Sequence, residues 1–414
     1  MKTGKILCGW IILFALFAGN ALAGNEGSPA NNYNAYYGYN AGSSLTTGMG
    51  NAFFGCEAGV KNTSASGNTF VGFLAGAANT EGQNNTFIGA ATGFVNTTGS
   101  YNTFHGYMAG NANTTGIENS FLGNLAGFKN TTGAHNTFLG NEAGKQNTTG
   151  SSNTFIGNRS GFSNESGQYN TFIGYWAGYY ADTGNNNNAL GYWAGFRNKG
   201  SYNNFIGNYT GYLNTTGSNN TFLGYSAGHE NQAGSGNVFI GHKAGYNETG
   251  SNKLYISNSD TATPLIYGDF SAGRVVVNGK IILQSSREVK DDIEALDRQE
   301  ALDALEGLRP VTFVYKADRT ERHAGFIAED VPDLIATKDR KGVSPMDIVT
   351  VLTKVVQEQQ RQIQEQQKTA EQQQELIQRL TQEQENMIRL QRDIVFLHEG
   401  KIARIENLLA SKGN

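Results

Sequence analysis

The chain has 414 residues, a formal charge of −4 and 54 glycines, with only 16 % of its residues charged. That length allows two or three domains, and the absence of a basic cluster argues against a nucleic-acid partner. Two cysteines, Cys8 and Cys56, exclude a disulfide-rich scaffold.

Residues 1–23 read as a secretory signal peptide: Lys2 and Lys5 precede an apolar run from Ile6 to Ala18, and Ala21-Leu22-Ala23 forms a small-x-small cleavage site. The run is too short for a membrane span, and no later stretch reaches the ~20 apolar residues that spanning needs. The protein is therefore expected to be secreted, at the cell surface or extracellular, with the periplasm as the alternative and no integral membrane anchor. Cys8 leaves with the signal, so no intrachain disulfide is expected. Cys56 reads as a small side chain in a repeat, favoured over an interchain bridge.

After a short linker (24–33), residues 34–251 are a repeat. An aromatic anchor recurs at Tyr36, Phe53, Phe70, Phe87, Phe104, Phe121, Phe138, Phe155, Phe172, Phe205, Phe222 and Phe239, with Ala189 in its place once. The period is 17 residues with one step of 16, giving thirteen copies. The second and sixth residues after every anchor are Gly, as at Gly123 and Gly127. Such Gly density excludes a helix and marks positive φ or close backbone approach. Each unit is expected to form a short strand, a tight turn, a second short strand and a loop on Asn-Thr-Thr-Gly. No copy buries its own apolar residues, so the copies must stack as a parallel β-roll or β-solenoid, roughly 60 Å long at about 4.8 Å per coil. The anchor and the next residue (Val71, Ile88, Leu122, Ile156, Leu223) are both apolar, yet strand neighbours face opposite sides. The outward one needs a partner, which three chains around an axis supply; a homotrimer is expected.

The array resembles the heads of trimeric autotransporter adhesins, which are left-handed parallel β-rolls. This period is longer than theirs, and the chain ends in Ala410-Ser411-Lys412-Gly413-Asn414 without their C-terminal barrel. The resemblance implies a left-handed, trimeric roll. Calcium binding is excluded because Asp182 is the only Asp between Tyr36 and Gly250. No metal site and no cofactor are expected. A Thr ladder before the anchors (Thr69, Thr86, Thr103, Thr137) suits stacked strands; a water-ordering face is the lesser reading. Asn-Thr-Thr and Asn-Glu-Thr triplets match glycosylation sequons but read better as turn chemistry. Tyr175, Trp176, Tyr192 and Trp193, with Tyr179, Tyr180 and Phe196, form a candidate patch for a surface glycan or cell-surface ligand. Packing is the favoured account of these rings, as it is of the lone His105.

Residues 252–284 read as a β neck, with strands at Leu254 to Asn258, Pro264 to Gly268 and Arg274 to Leu283. Composition then changes. Asp291 to Leu308 has helical apolar spacing, Val311 to Tyr315 and His323 to Ala328 read as strands, and Met346 begins a helix of about sixty residues. At the junction, Ser285 stands five residues before Lys290, the minimum pair for a serine nucleophile with an amine base. The ordered motifs Ser-x4-Lys-x2-Ile, Ala-Leu-x2-Leu-x2-Leu-x-Pro-Val-x-Phe-x-Tyr-Lys and Gly-Phe-Ile-Ala-Glu-Asp-Val-Pro, followed by a helix, resemble the intramolecular-chaperone auto-processing domain of phage endosialidases, tail spikes and a membrane-bound animal transcription factor. The resemblance implies that residues 285–351 assist trimer folding and then cut the Gln284–Ser285 bond, with Ser285 as nucleophile and Lys290 as its base. Ser286 stands where that family usually has Asp, and Glu288-Val289 where it has Arg-Leu. A Glu288–Lys290 pair would hold the amine charged and inactive.

Residues 352–414 are expected to form a coiled coil, with Val356, Gln359, Ile363, Gln366, Ala370, Gln373, Ile377 and Leu380 along a seam that resumes at Ile394 after a phase break. A helical hairpin turning at Gly400 is the alternative. The fold expected is a mainly β N-terminal solenoid, a small α+β domain and a C-terminal α-helical coiled coil. The function expected is a fibre or adhesin-like protein whose chaperone domain is a single-turnover serine peptidase; the alternatives are a permanent, uncut trimerisation clamp or a carbohydrate-binding fibre.

Overall fold

A computed structural model describes residues 32–316 and 319–411; the expected signal peptide lies outside them. The chain divides into two units, Met1–Ile282 and Leu283–Asn414.

The first unit is a parallel β-solenoid. Thirteen three-residue strands, β1 (Ala35–Tyr37) through β13 (Val238–Ile240), each pair with the next in parallel. The register sets each anchor on the next, Phe104 on Phe121 and Phe121 on Phe138. The interior is therefore a column of phenyl rings: from Phe53 to Phe172 successive centroids lie 4.7–5.0 Å apart and each ring is essentially inaccessible. Burying one such side chain contributes about 1.5–3 kcal/mol, and stacking adds about 0.5–1.5 kcal/mol. The expected second strand of each unit does not form. The fourth residue after the anchor takes a left-handed conformation (Leu125, φ 56°) and so does the sixth (Gly127, φ 57°), which bends the segment into a turn. Two glycines show why no other residue serves. A Cβ on Gly123 would lie 2.2 Å from the Gly140 carbonyl oxygen, and one on Gly127 would lie 2.5 Å from the Phe121 ring.

Polar ladders flank the phenyl column. The residue two before the anchor is Asn in all thirteen copies. Asn85 Nδ2 donates to Gly99 O at 2.8 Å, while Asn85 Oδ1 accepts the Asn102 backbone N–H at 2.9 Å. A second Asn column, nine residues after the anchor, links side chain to side chain, as in Asn113 Nδ2 to Asn96 Oδ1 at 2.7 Å. These include the asparagines of the Asn-Thr-Thr triplets; Asn247 of Asn-Glu-Thr is exposed and donates to Asp260. Asn96, Asn113, Asn130, Asn147 and Asn214 are fully buried and none has positive φ, so they line the interior rather than shaping a turn or presenting a glycan site.

Both inner columns break in the same place. Ala181 replaces the ladder Asn, which leaves Asn164 Oδ1 buried without a partner, and Ala189 replaces the anchor. Phe205 leans toward the missing ring: a Cβ on Gly195 would meet its Cδ2 at 3.0 Å, and its stack on Phe222 is tilted 26° where Phe222 on Phe239 is tilted 7°.

Parallel pairing runs one rung past the repeat, because β14 (Lys253–Ile256) sets Tyr255 on Phe239. Then β15 (Ile266–Asp269) and β16 (Arg274–Val277) add on antiparallel. Lys253 Nζ to Asp269 at 2.6 Å clasps β14 to β15. The third expected strand stops at Val277 rather than Leu283. Cys56 is disulfide-bonded.

The second unit contains α1 (Arg298–Gly307), a hairpin of β17 (Val311–Phe313) and β18 (His323–Gly325), and α2 (Pro345–Ala410). The helix expected from Asp291 starts later because Asp297 caps it, accepting the N–H groups of Gln299 and Glu300. Ala304, Val331, Ile335 and Val351 form the core, and Arg298 reaches Glu358 at 3.0 Å to tie α1 to α2. Ser344 caps α2 and Pro345 occupies its first turn. α2 passes through Gly400 without interruption, so the hairpin alternative is not realised.

Candidate functional site

Residues 280–286 carry no regular structure, so the backbone at Gln284–Ser285 is open. A single 3-10 turn, Arg287–Val289, follows. Its cap is Ser286, whose Oγ accepts the Glu288 N–H at 3.2 Å. The turn folds the chain back so that Lys290 Nζ donates to Ser285 Oγ at 2.6 Å. Glu288 makes no ion pair with Lys290 among the described residues. Gln284, Ser285 and Lys290 are all exposed in the single chain.

Two residues that motif reading did not single out hold this unit's local structure. Ser286, noted in the sequence only as a departure, is the cap that shapes the turn. Arg340 donates to the carbonyl oxygens of Glu329 at 2.9 Å and Val331 at 2.7 Å and pairs with Asp333, which fastens the Gly-Phe-Ile-Ala-Glu-Asp-Val-Pro segment. A Ser at a helix-start position is the signal for the first; a lone Arg gives none for the second.

The four rings of the candidate ligand patch come together. Trp176 stacks on Trp193 and Tyr175 on Tyr192, each at 5.3 Å, and neighbours extend the column through Tyr179, Phe196, Tyr212, His229 and Tyr246 at 4.7–5.5 Å. The rings cover one another's faces, so they offer solvent mainly edges and the tyrosine hydroxyls. The patch sits on the coils where both inner columns break. Arg159 lies over Phe162 and Trp176 at 5.9 and 5.7 Å while pairing with Glu142 at 2.5 Å. Burial raises the Glu142 carboxyl, but the hydrogen bonds from Lys145 and Arg159 outweigh it and hold the group below its ordinary value. Buried Trp176 Nε1 and Trp193 Nε1 have no hydrogen-bond partner.

Among the described residues no group of three or more metal-ligating side chains occurs within one chain, and no helix is long and apolar enough to cross a membrane.

Residues 285–338 match the family model for the chaperone of endosialidase. The match starts at Ser285, the first member of the Ser–Lys pair. No curated protein and no solved structure matches the chain. A chaperone-of-endosialidase segment behind a thirteen-turn β-solenoid fits a tail-fibre-like protein of the trimeric kind.

Proposed function

We propose that the chain is an exported fibre protein that assembles as a homotrimer. The solenoid is the shaft, and the segment from Ser285 is an intramolecular chaperone that brings three shafts into register and then severs the Gln284–Ser285 bond. The observation that carries this reading is the 2.6 Å Lys290 Nζ to Ser285 Oγ contact at the start of the family match. Once the amine has lost its proton the bond reverses, and Ser285 donates to the base. A neutral lysine needs a dry site. Both residues are exposed in one chain, so burial by the other two copies is what links cleavage to completed assembly.

The trimer reading also rests on the outward face of the strands. Val71, Leu122, Leu139, Ile173, Ile206 and Leu223 are 36–46 % exposed in one chain, in an apolar ladder interrupted by His105 and facing the axis of the proposed assembly. At about 70 Å² each over thirteen coils, the ladder offers on the order of 900 Å² per copy, the scale of a specific interface.

The same exposure of Ser285 and Lys290 favours a second reading, in which they stay wet and the domain remains as a permanent clamp. Expression from Gly24 decides between them. Cleavage predicts a C-terminal fragment of 130 residues, 285 to 414, that disappears in Ser285→Ala and Lys290→Ala. A wild-type chain that stays intact while trimeric by native mass eliminates the peptidase and leaves the clamp.

A further inference from the structure

The outward ladder has a single polar member. His105 lies in β5 (Thr103–His105), in register between Ile88 and Leu122. It is exposed, and its imidazole makes no hydrogen bond, ion pair or ring contact among the described residues. The groups beside it in the strand and on the adjoining rungs are uncharged: Ile88, Thr103, Ser120 and Leu122. An unsatisfied imidazole among aliphatic neighbours, Ile88 and Leu122, is a polar group placed where an apolar contact is wanted. Under three-fold symmetry it occurs three times at one height.

Resting on the trimer proposed above, we infer that the three His105 side chains, one from each copy, form a divalent transition-metal site on the three-fold axis of the shaft. Three imidazoles with an open fourth position are a donor set that suits Zn²⁺ and Ni²⁺. The lining of Ile88 and Leu122 excludes water, a condition that favours nitrogen ligation. No single chain contains the site; it exists only in the assembly.

The test is native mass spectrometry and titration calorimetry on the full chain with Zn²⁺ alone and Ni²⁺ alone, comparing wild type with His105→Leu and His398→Gln. Leu fills the same ladder position at Leu122, Leu139, Leu190 and Leu223, so the first variant keeps the fold. The second controls for the only histidine on α2. The expected result is one metal per three chains in wild type and in His398→Gln, with at least a 10-fold weakening in His105→Leu. A trimer that binds no metal, or whose binding is unchanged in His105→Leu or lost in His398→Gln, overturns the site but leaves the trimer standing. A monomer in solution overturns the trimer reading itself.

Discussion

The gap at Ala181 makes a quantitative test of the asparagine columns. From Asn96 to Asn164 each Asn of the second column donates to the Oδ1 below it and to a Gly carbonyl, as Asn147 Nδ2 does to Asn130 Oδ1 at 2.7 Å and Gly150 O at 3.0 Å. Ala181→Asn supplies the missing donor to Asn164 Oδ1 and a second bond to Gly184 O. It also gives Asn198 Nδ2, now bound only to Gly200 O at 3.2 Å, an acceptor in line. Leaving a buried acceptor unmet costs about 1–3 kcal/mol, and fixing the new side chain takes back part of that gain. The net stabilisation is about 1–2 kcal/mol, a rise of roughly 2–6 °C in midpoint for a unit of this size. The assay is thermal unfolding followed by circular dichroism on the chain from Gly24, with Asn147→Ala as the opposite perturbation. That variant strands Asn130 Oδ1 and takes from Asn164 Nδ2 its acceptor Asn147 Oδ1, and is expected to lower the midpoint by at least as much. A fall in midpoint for Ala181→Asn, or no change for Asn147→Ala, refutes the claim that these columns stabilise the shaft.

Glycine substitutions separate strain from collision. Gly127→Ala combines φ 57° with a Cβ 2.5 Å from the Phe121 ring and should cost about 3 kcal/mol or more by urea unfolding. Gly50→Ala has φ 68° but nothing within 4 Å and should cost about 1 kcal/mol. In the neck, the hydrogen bond from Lys253 holds the Asp269 carboxyl down at about 2, from its ordinary 3.8. A depressed acid stabilises the fold above its unfolded value and loses that contribution as pH falls through the folded one. Midpoints measured between pH 5 and pH 1.5 should therefore drop from about pH 4 downward by this route, with a smaller drop in Asp269→Asn. On the outward ladder, Leu139→Lys and Ile156→Lys should shift the solution mass from three chains to one without unfolding the solenoid, because both side chains point away from the phenyl column; a trimer that survives the pair removes that face from the interface.

Much of the shaft was legible because its signals are periodic. The anchor spacing gave the coil, and the doubled glycines gave its turns. What escaped was the meaning of asparagine. By propensity Asn is a turn residue tolerant of positive φ, and the sequence was read that way. In the structure the asparagines of the two inner columns have no positive φ, and the left-handed positions are shared by Asn84 and Asn219 with residues as varied as Tyr101, Glu118, Trp176 and Lys243, where stacking overrides their preference. The signal was present, since the Asn two before each anchor never varies while the left-handed positions do. The second strand was mispredicted for the same reason: apolar spacing carries no information on φ. At the junction, the Ser–Lys spacing was legible but the Ser286-capped turn was not, because a 3-10 turn of three residues leaves no periodic trace.

The regularity of the shaft also explains why such a chain would carry a chaperone. Thirteen coils are nearly interchangeable, so a one-coil slip between neighbouring chains in the proposed trimer forfeits contacts only at the two ends. The stability difference between correct and slipped registers is then a small fraction of the whole, and stacking alone specifies register weakly. Marks within the shaft and a unit at its end oppose the slip. One mark is the irregular stretch around Ala181, Ala189 and the 16-residue step, which matches its counterparts only when the three chains are level. His105 adds a second mark on the outward ladder, level with its copies in that register alone. The unit at one end is non-repetitive, and its α1, hairpin and start of α2 admit a single arrangement. Folding that fixes this end first would set the level of every coil behind it, and a cut at Gln284–Ser285 after assembly would leave the shaft trapped in that register by the unfolding barrier. The idea makes a kinetic demand: a shaft truncated at Gln284 and refolded alone should give misaligned or aggregated species, whereas the same shaft released from the full chain should remain trimeric. Equal yields of aligned trimer from both routes would show that the coils find their register unaided.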